Sequence, residues 1–318
     1  MILTLVNIGP LKEARVELGK GLTVFYGPNA SGKTTVARAL RLLALMNMGV
    51  AGAGELMELI NRAKREGRII YEEGGSALEM NCVLEERGAR LKFGGVLGGE
   101  RRVYADDRLE SADRPRIAVF WILHDSVKLY GLKAQEERPY ELADLLAPSV
   151  LRGLVGEGKA LGEFLDFHEE FLAKVNKYLE ATTDHTLEYR DGVYFRRSIH
   201  LFHPSRVAEG IKRMALILAT AFLAEATAEG TIPVVYAEDF ETSLHADYLD
   251  FLIEVLRRRS VAVVAETHSG FVLRRAYETM SRGDVRYYIF EDGAVHTEIK
   301  DSKLFRREIA AMAGVDML

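Results

Sequence analysis

The stretch GPNASGKTT, from Gly27 to Thr35, carries the residue types best suited to chemistry. It fits the pattern G-x-x-x-x-G-K-[ST], which folds around phosphate groups. Gly27 and Gly32 let the backbone turn its N–H groups toward an anion. Lys33 adds a positive charge, and Thr34 offers a hydroxyl to Mg²⁺. We therefore expect this phosphate loop to bind ATP with Mg²⁺. The other residues expected to touch the nucleotide are Asn29, Ala30, Ser31 and Thr35.

An acid pair, Glu238-Asp239, ends the apolar run VVYA. Strand-end acids of this kind hold a metal ion and position the attacking water in ATPases. The usual order is the short acid first, and here it is reversed. Glu238 and Asp239 are therefore candidates for a site that serves a metal ion and a water molecule.

A histidine, His268, follows a second apolar run in the segment VAVVAETHSG. A histidine at the end of a strand often only caps or packs the chain. Its place after the acid pair favours a sensor of the γ-phosphate instead. His268 is therefore the third residue for which we expect a catalytic role.

The elements that position these residues follow from hydrophobic periodicity. MILTLVNIG and ARVELGKGLTVFYG predict strands, and a helix is expected from Thr34 to about Met48. IPVVYAED and VAVVAETH have the continuous apolar pattern of parallel strands covered on both faces. AEGIKRMALILATAFLAEATA predicts an apolar helix, and hairpins are expected around Asp191-Gly192 and Asp292-Gly293.

The middle of the chain has a different character. GRIIYEEG, SALEMNCVLEERG, ARLKFGG and RIAVFWILHD predict a small sheet jointed at the glycine pairs 74-75, 94-95 and 98-99. Helices are expected from about residue 133 to 181. One of them should turn an apolar stripe toward the core. Its members are Leu161, Phe164, Leu165, Phe171, Leu172, Val175 and Leu179.

These elements predict an α/β fold: a P-loop NTPase with an ABC-ATPase-type head, in which a mixed sheet is flanked by helices. Residues 1–50 and 186–318 would form the nucleotide-binding lobe. Residues 51–185 would be an insertion with a β-rich part (66–125) and a helical part (133–182).

Composition excludes several classes of protein. The net charge is −5 and the pI about 6.0, so no overall basic field favours nucleic acid. Cys82 is the only cysteine, which excludes an internal disulfide and a multi-cysteine zinc site. The sequence shows neither a secretory signal nor an apolar run of membrane-spanning length, so we expect a cytoplasmic protein. A single glutamine, Gln135, beside 28% charged residues indicates a heat-adapted source.

Four segments together resemble a known family: the opening LTLVNIGPLKEARVELGKGLTVFYGPNASGKTTVARAL, then HPSRVAEGIKRMALIL, EDFETSLHADY and ETHS. They are similar to the ABC-type ATPases of the chromosome-maintenance and DNA-repair branch, which includes SMC and RecF proteins. The similarity extends to small soluble AAA-type ATPases related to the overcoming-lysogenization-defect (OLD) family. It covers residues 1–45 and about 187–300. In that family two subunits sandwich two ATP molecules, which implies a homodimer.

The resemblance assigns roles to single residues. It implies that Glu238 is the Walker B acid that holds the metal, Asp239 the catalytic acid and His268 the switch histidine. A shifted register would instead place Ala237 at the Walker B position and make Glu238 the base. Ser243 lies in the D-loop that follows. Gly210, with its neighbours in the signature helix, would cap the γ-phosphate bound by the other subunit. Those neighbours are Glu209, Lys212 and Arg213.

The sequence also departs from the family. Ala208 replaces the signature serine and so lacks a hydroxyl for the γ-phosphate. Asp239 is one methylene shorter than the usual glutamate, and a misplacement near 1 Å can cost about a hundredfold in rate. No glutamine loop is evident, since Gln135 lies in a charged segment and the expected place offers His124 and Asp125. We therefore expect slow hydrolysis.

The expected function is an ATP-driven dimeric clamp in DNA repair, chromosome maintenance or anti-phage defence. The alternative is a non-catalytic, nucleotide-gated switch that acts on a partner protein. A transporter subunit or a small-molecule kinase fits the segment ETSLH less well. Because the sequence ends soon after His268, any nuclease effector is expected to be a separate protein. Basic clusters at 61–68, 257–259 and 273–275 are either solvated helix faces or contacts for DNA.

Overall fold

The computed structural model of the protein describes residues 1–49, 59–61, 63–85, 88–97, 100–104, 115–132, 138–155, 160–228, 230–280, 285–298, 301–304 and 306. The chain divides into two compact units. Unit 1 comprises Met1–Gly19, Thr23–Ile117 and Glu266–Leu318, and unit 2 comprises Lys20–Leu22 and Ala118–Ala265. No helix in the described part of the chain is both long and apolar enough to cross a bilayer.

The first half of the chain is mostly strands. They are β1 (Ile2–Ile8), β2 (Leu11–Glu17), β3 (Gly21–Tyr26), β4 (Glu66–Glu73), β5 (Ser76–Glu85), β6 (Gly88–Leu97), β7 (Glu100–Tyr104), β8 (Ile117–Ile122), β9 (Ser126–Tyr130) and β10 (Tyr140–Glu141). Helix α1 (Lys33–Met48) follows β3.

Helices dominate the second half. They are α2 (Leu142–Leu146), α3 (Pro148–Val155), α4 (Leu161–Thr183), α5 (Glu209–Ala226), α6 (Ala246–Leu256) and α7 (Gly270–Met280). The strands among them are β11 (Thr186–Tyr189), β12 (Val193–Arg197), β13 (His200–Phe202), β14 (Ile232–Ala237), β15 (Ala262–Thr267), β16 (Val285–Glu291) and β17 (Ala294–His296).

Unit 1 contains an antiparallel sheet in the order β2-β1-β4-β5-β6-β7. The predicted joint at Gly74-Gly75 is confirmed, because both residues have positive φ in the turn between β4 and β5. The predicted joint at Gly94-Gly95 is wrong, since both residues lie inside β6. Hydrogen bonds to β5 and β7 hold this strand on both sides, so the glycines do not end it. Residues 98-99 lie outside the described part.

Helix α1 begins directly after the phosphate loop. Gly32 precedes it with a φ of 109°, and Gly49 ends it in the left-handed conformation. The apolar face predicted for this helix is confirmed: its four residues are fully buried. They are Val36, Leu40, Leu43 and Ala44. The hairpin predicted around Asp292-Gly293 joins β16 and β17, with positive φ at both turn residues.

Unit 2 contains β10, β9, β8 and β14 in that order, followed by the first four residues of β15. Strands β14 and β15 are parallel, and nearly all their residues are buried, as predicted. The assignment of RIAVFWILHD to the small sheet of the insertion is wrong. Strand β8 instead pairs with β9 and β14, because its six buried residues need cover on both faces.

Helices α2, α3 and α4 lie within the segment predicted to be helical, which also contains the short strand β10. The start of α2 is stabilised by Asp144, which accepts hydrogen bonds from the backbone N–H of Glu141 (2.9 Å) and from Arg138 (3.0 Å). Burial raises the pKa of Asp144, but these hydrogen bonds and the charge of Arg138 outweigh it, so the pKa lies below its ordinary value.

The apolar stripe of α4 is confirmed in part. Phe164, Phe171, Val175 and Leu179 are buried, whereas Leu161 and Leu165 are 57% and 48% exposed. Leu161 belongs to the first turn, and Leu165 lies about 100° around the axis from Phe164. His168 takes the inward position instead, and its Nε2 donates to the carbonyl of Leu146 (3.0 Å). The predicted helix α5 and the hairpin of β11 and β12 are also present.

Candidate phosphate site and acidic turn

The backbone of the phosphate loop needs its two glycines. A Cβ on Gly27 would lie 2.4 Å from the carbonyl oxygen of Phe290, well inside normal contact. Gly32 has a φ of 109°, which side chains of L-residues rarely tolerate. Ala30 is also left-handed, with a φ of 60°. The loop is therefore bent tightly, and only glycine fits at its first position.

Hydrogen-bond donors in the loop are left for a ligand. The Oγ atom of Ser31 is buried and has no hydrogen-bond partner among the described residues. It lies 2.9 Å from the position that a Cβ on Gly27 would occupy. At the start of α1, Gly32 supplies no side-chain cap for the first N–H groups of the helix. A buried hydroxyl beside an uncapped helix N-terminus fits an anion such as a phosphate group.

Lys33 is held against the loop. Its Nζ atom donates to the carbonyls of Gly27 (2.8 Å) and Pro28 (3.0 Å), and the residue is only 3% exposed. The Nδ1 atom of His268 lies 3.4 Å from this ammonium. Because an ammonium can only donate, Nδ1 is the acceptor in this contact. The structure thus brings together the loop lysine and the predicted switch histidine.

Glu266 is a functional candidate that the sequence reasoning missed. Its carboxylate accepts a hydrogen bond from Oγ1 of Thr34, at 2.9 Å to Oε1 and 3.2 Å to Oε2. The same carboxylate lies 3.9 Å from Nζ of Lys33, and the residue is 4% exposed. A buried carboxylate requires charged and hydrogen-bonding partners, and Lys33 and Thr34 supply them. The signal was present, since Glu266 is a charged residue directly after four apolar residues of a fully buried strand.

The remaining loop residues differ in exposure. Asn29 and Ala30 are exposed. Thr35 is buried, and its Oγ1 lies 2.8 Å from the position that a Cβ on Gly9 would occupy. The backbone at Gly9, which has a φ of 54°, therefore lies close to this threonine. The side chain of Thr35 therefore packs inside unit 1.

The acid pair lies in unit 2, at the end of β14. Glu238 is half-buried, and its Oε2 accepts a hydrogen bond from Nε1 of Trp121 (2.9 Å). Asp239 is exposed and has a φ of 44°. Its carbonyl accepts from the N–H of Thr242 (2.9 Å), which closes the turn. The two acids therefore occupy different environments: one is fixed by an indole, and the other faces solvent.

Arg213 fixes the same turn from α5. Its guanidinium donates to the carbonyls of Leu123, His124 (2.9 Å) and Glu238 (2.6 Å), and the residue is 3% exposed. Burial lowers its pKa to about 10, although the charges of the nearby carboxylates, Asp239 first, act in the opposite direction. The expectation that Arg213 faces a second subunit is wrong, because its hydrogen-bonding groups are turned into its own unit.

A cavity of about 330 Å³ lies beside the acidic turn. It is large enough for several water molecules, and carboxylate, guanidinium and hydroxyl groups line it. The lining residues are Leu123, His124, Arg213, Glu238, Asp239 and Thr242. The exposed residue Asp239 thus lines a space that water can occupy.

The predicted signature residues also lie in unit 2. Glu209 is exposed and pairs with Lys212 at 2.5 Å. Gly210 is buried, and a Cβ there would lie 2.5 Å from the carbonyl oxygen of Ser243. Ser243 is exposed, with a φ of 64°. The contact with Ser243 within the same chain thus requires glycine at position 210. This requirement does not depend on any ligand at the start of α5.

Comparisons with known proteins agree with this architecture. Residues 3–90 match the family model described as an AAA domain. None of the curated proteins compared with the chain matches it in sequence. Three solved SMC head structures do match in fold, at 10–12% identity.

An SMC head bound to the C-winged helix domain of ScpA has a TM-score of 0.58 at 12% identity, covering 93% of this chain and 96% of that one. The head domain from Thermotoga maritima has a TM-score of 0.52 at 12% identity, covering 93% and 98%. A head with an extended coiled coil, bound to the C-terminal domain of ScpA derived from Pyrococcus furiosus, has a TM-score of 0.52 at 10% identity, covering 97% and 98%. The chain therefore has the α/β fold of SMC head domains, a mixed sheet flanked by helices, as the sequence predicted.

Proposed function

We propose that the protein binds Mg-ATP at the phosphate loop and hydrolyses it slowly. The observation that carries this proposal is the loop itself. Lys33 is held on the loop carbonyls while the buried Oγ of Ser31 has no partner among the described residues. A P-loop of this kind cradles nucleotide phosphates with its backbone N–H groups. The fold of SMC head domains supports the same conclusion.

The residues would divide the work as follows. Thr34 and Glu238 would hold Mg²⁺, which neutralises the charge of the terminal phosphates. Asp239 would position the attacking water, and His268, beside Lys33, would sense the γ-phosphate. The inverted acid order supports slow turnover, because the shorter side chain of Asp239 holds its carboxylate further from the water than a glutamate would.

We further propose that two copies of the chain dimerise around nucleotide. The first N–H groups of α5 have no side-chain cap, because Ala208 precedes them. They would bind the γ-phosphate held by the partner subunit, together with Glu209, Gly210 and Ser243. Two of the similar SMC heads are bound to domains of ScpA, a separate protein. On this basis we propose a separate effector protein. The resemblance in sequence is the basis for proposing DNA repair, chromosome maintenance or anti-phage defence as its setting.

Calorimetry with ATP and Mg²⁺ tests the core of this proposal. Wild type should release or absorb heat at a stoichiometry of about one nucleotide per chain, and Lys33→Ala should weaken binding at least about tenfold. Absence of heat with wild type would refute the proposed function. The Asp239→Asn variant should bind ATP as wild type does but release phosphate more slowly. Molecular mass in solution, with and without Mg-ATP, tests dimerisation.

The second candidate is a nucleotide-gated switch without catalysis. Ala208 favours it, because no hydroxyl caps the signature helix. Such a switch would dimerise with ATP yet release essentially no phosphate at steady state. Phosphate release by wild type that depends on Asp239 would exclude it.

DNA binding gains little support from the basic clusters at 257–259 and 273–275. Arg257 is buried and pairs with Glu254 (2.7 Å), and Arg259 lies 3.6 Å from Glu225. Both arginines at 274–275 pair with Glu278. These pairs neutralise much of the charge that phosphates would contact. DNA binding stays a proposal to be tested by its salt dependence, with and without a non-hydrolysable ATP analogue.

A further inference from the structure

The carboxylate of Glu266 lies directly beside the hydroxyl that a magnesium ion would use. Oγ1 of Thr34 is 2.9 Å from Oε1 of Glu266. Mg²⁺ binds oxygen ligands at about 2.0–2.1 Å in octahedral geometry, which places adjacent ligands about 2.9 Å apart. The distance between the two oxygens therefore fits two arrangements. Both could be neighbouring ligands of the ion, or Oγ1 of Thr34 could be the ligand while Oε1 of Glu266 accepts its hydrogen bond.

The position of this carboxylate is fixed before any ion arrives. Glu266 is 4% exposed, and the Nζ atom of Lys33 lies 3.9 Å from its Oε1, the oxygen that also accepts from Thr34. A buried negative charge at this place has two consequences. It attracts a divalent cation, and without that cation it repels the phosphates that Lys33 would otherwise attract.

We propose that Glu266 belongs to the divalent-cation site and makes nucleotide binding depend on Mg²⁺. This inference rests on the proposed binding of ATP at the phosphate loop. With Mg²⁺ present, the carboxylate contributes to the hold on the ion, directly or through a coordinated water. With Mg²⁺ absent, the same carboxylate opposes the triphosphate and keeps its hydrogen bond to Thr34.

The Glu266→Gln variant separates charge from shape. Glutamine keeps the size of the side chain and an oxygen that accepts from Thr34, but it removes the negative charge. The dissociation constant of ATP is measured by calorimetry, once with Mg²⁺ and once with EDTA, for wild type and variant. In EDTA the variant should bind ATP at least about tenfold more tightly than wild type. The ratio of the dissociation constant in EDTA to the dissociation constant in Mg²⁺ should therefore be at least about tenfold smaller for the variant than for wild type.

Further variants make the experiment decisive. Glu278→Gln removes an exposed carboxylate elsewhere in unit 1 and should leave the ratio at its wild-type value. Glu266→Asp keeps the charge and should retain more of the dependence on Mg²⁺ than glutamine does. Glu266→Ala also removes the charge, and it serves as the test should the glutamine variant fail to give a cooperative thermal transition.

The outcomes are distinguishable. If Glu266→Gln increases the affinity for ATP by the same factor in Mg²⁺ and in EDTA, the carboxylate only repels the phosphates. That result would overturn its role in the metal site. An unchanged ratio of the two dissociation constants in the charge-removing variant would overturn the inference as well, while leaving ATP binding intact. Failure of wild type to bind ATP even with Mg²⁺ would instead refute the proposed function, and this inference with it.

Discussion

Gly210→Ala tests whether the start of α5 is fixed by packing within one chain. The added Cβ would lie 2.5 Å from the carbonyl oxygen of Ser243, where ordinary contact begins at 3.4 Å. Backbone must therefore move by nearly 1 Å, and overpacking of this kind costs about 1–3 kcal/mol. Alanine returns up to about 1 kcal/mol through its helix propensity. With the full gain from helix propensity, the expected net loss in the free energy of unfolding is up to about 2 kcal/mol.

The chain offers a matched control. Gly162 is the second residue of α4, as Gly210 is of α5, but a Cβ there meets nothing within 4 Å. Gly162→Ala should therefore be neutral or stabilising by up to about 1 kcal/mol. Urea unfolding followed by circular dichroism gives the free energy of unfolding for both variants and wild type.

Comparing Gly210→Ala with Gly162→Ala also distinguishes a loss of packing from a loss of nucleotide binding. If the two alanine variants are equally stable, the close contact between Gly210 and Ser243 does not constrain the chain, and the reasoning fails. If Gly210→Ala is destabilised, its effect on ATP-driven dimerisation must be judged at temperatures where it is fully folded. If Asp239 positions the attacking water as proposed, a displaced turn should also slow phosphate release.

Three further variants test single contacts, each by urea unfolding with circular dichroism. Trp121→Phe removes the donor to the Glu238 carboxylate and should cost about 1.5–3 kcal/mol, an effect that should vanish in a Glu238→Ala background. Arg213→Met leaves three backbone carbonyls without their donor and should cost more than about 3 kcal/mol, whereas Arg213→Lys should lose less. Asp144→Asn should cost about 1 kcal/mol near pH ~7.

The last of these depends on pH with a definite sign. The pKa of Asp144 in the folded protein lies below its ordinary value, so its stabilising effect is complete above that ordinary value. It disappears as the pH falls through the lowered pKa. The stability difference between wild type and Asp144→Asn should therefore shrink on acidification, and a constant difference would refute the assignment. Additive losses in the Trp121 and Glu238 variants would likewise refute their coupling.

Sequence patterns predicted the parts of this fold that depend on local order. Strand β14 is a continuous apolar run, and helix α1 repeats its apolar residues every three to four positions, so both were found. The phosphate loop was found because glycine and lysine at fixed spacing have few other uses. The roles predicted for its residues, and for Glu238 and Asp239, stay predictions.

Contacts between distant residues were harder to foresee. Glu266 and Thr34 are 232 positions apart, and no local pattern links them. Arg213 looked like a surface cation because nothing local shows that three carbonyls surround it. Strand β8 was assigned to the wrong sheet because pairing partners depend on topology and not on composition. Only Glu266 gave a local sign, as a charged residue directly after an apolar run.

Trp121 is the only tryptophan in the chain, and its indole donates a hydrogen bond to the Glu238 carboxylate. Intrinsic indole fluorescence therefore reports on one location, the acid at the end of β14. Any ion or nucleotide that draws the Glu238 carboxylate away would change the emission without an added dye. Stopped-flow recording of the tryptophan fluorescence would give the rate at which the Glu238 carboxylate moves. That rate could be compared with the rate of phosphate release, measured separately.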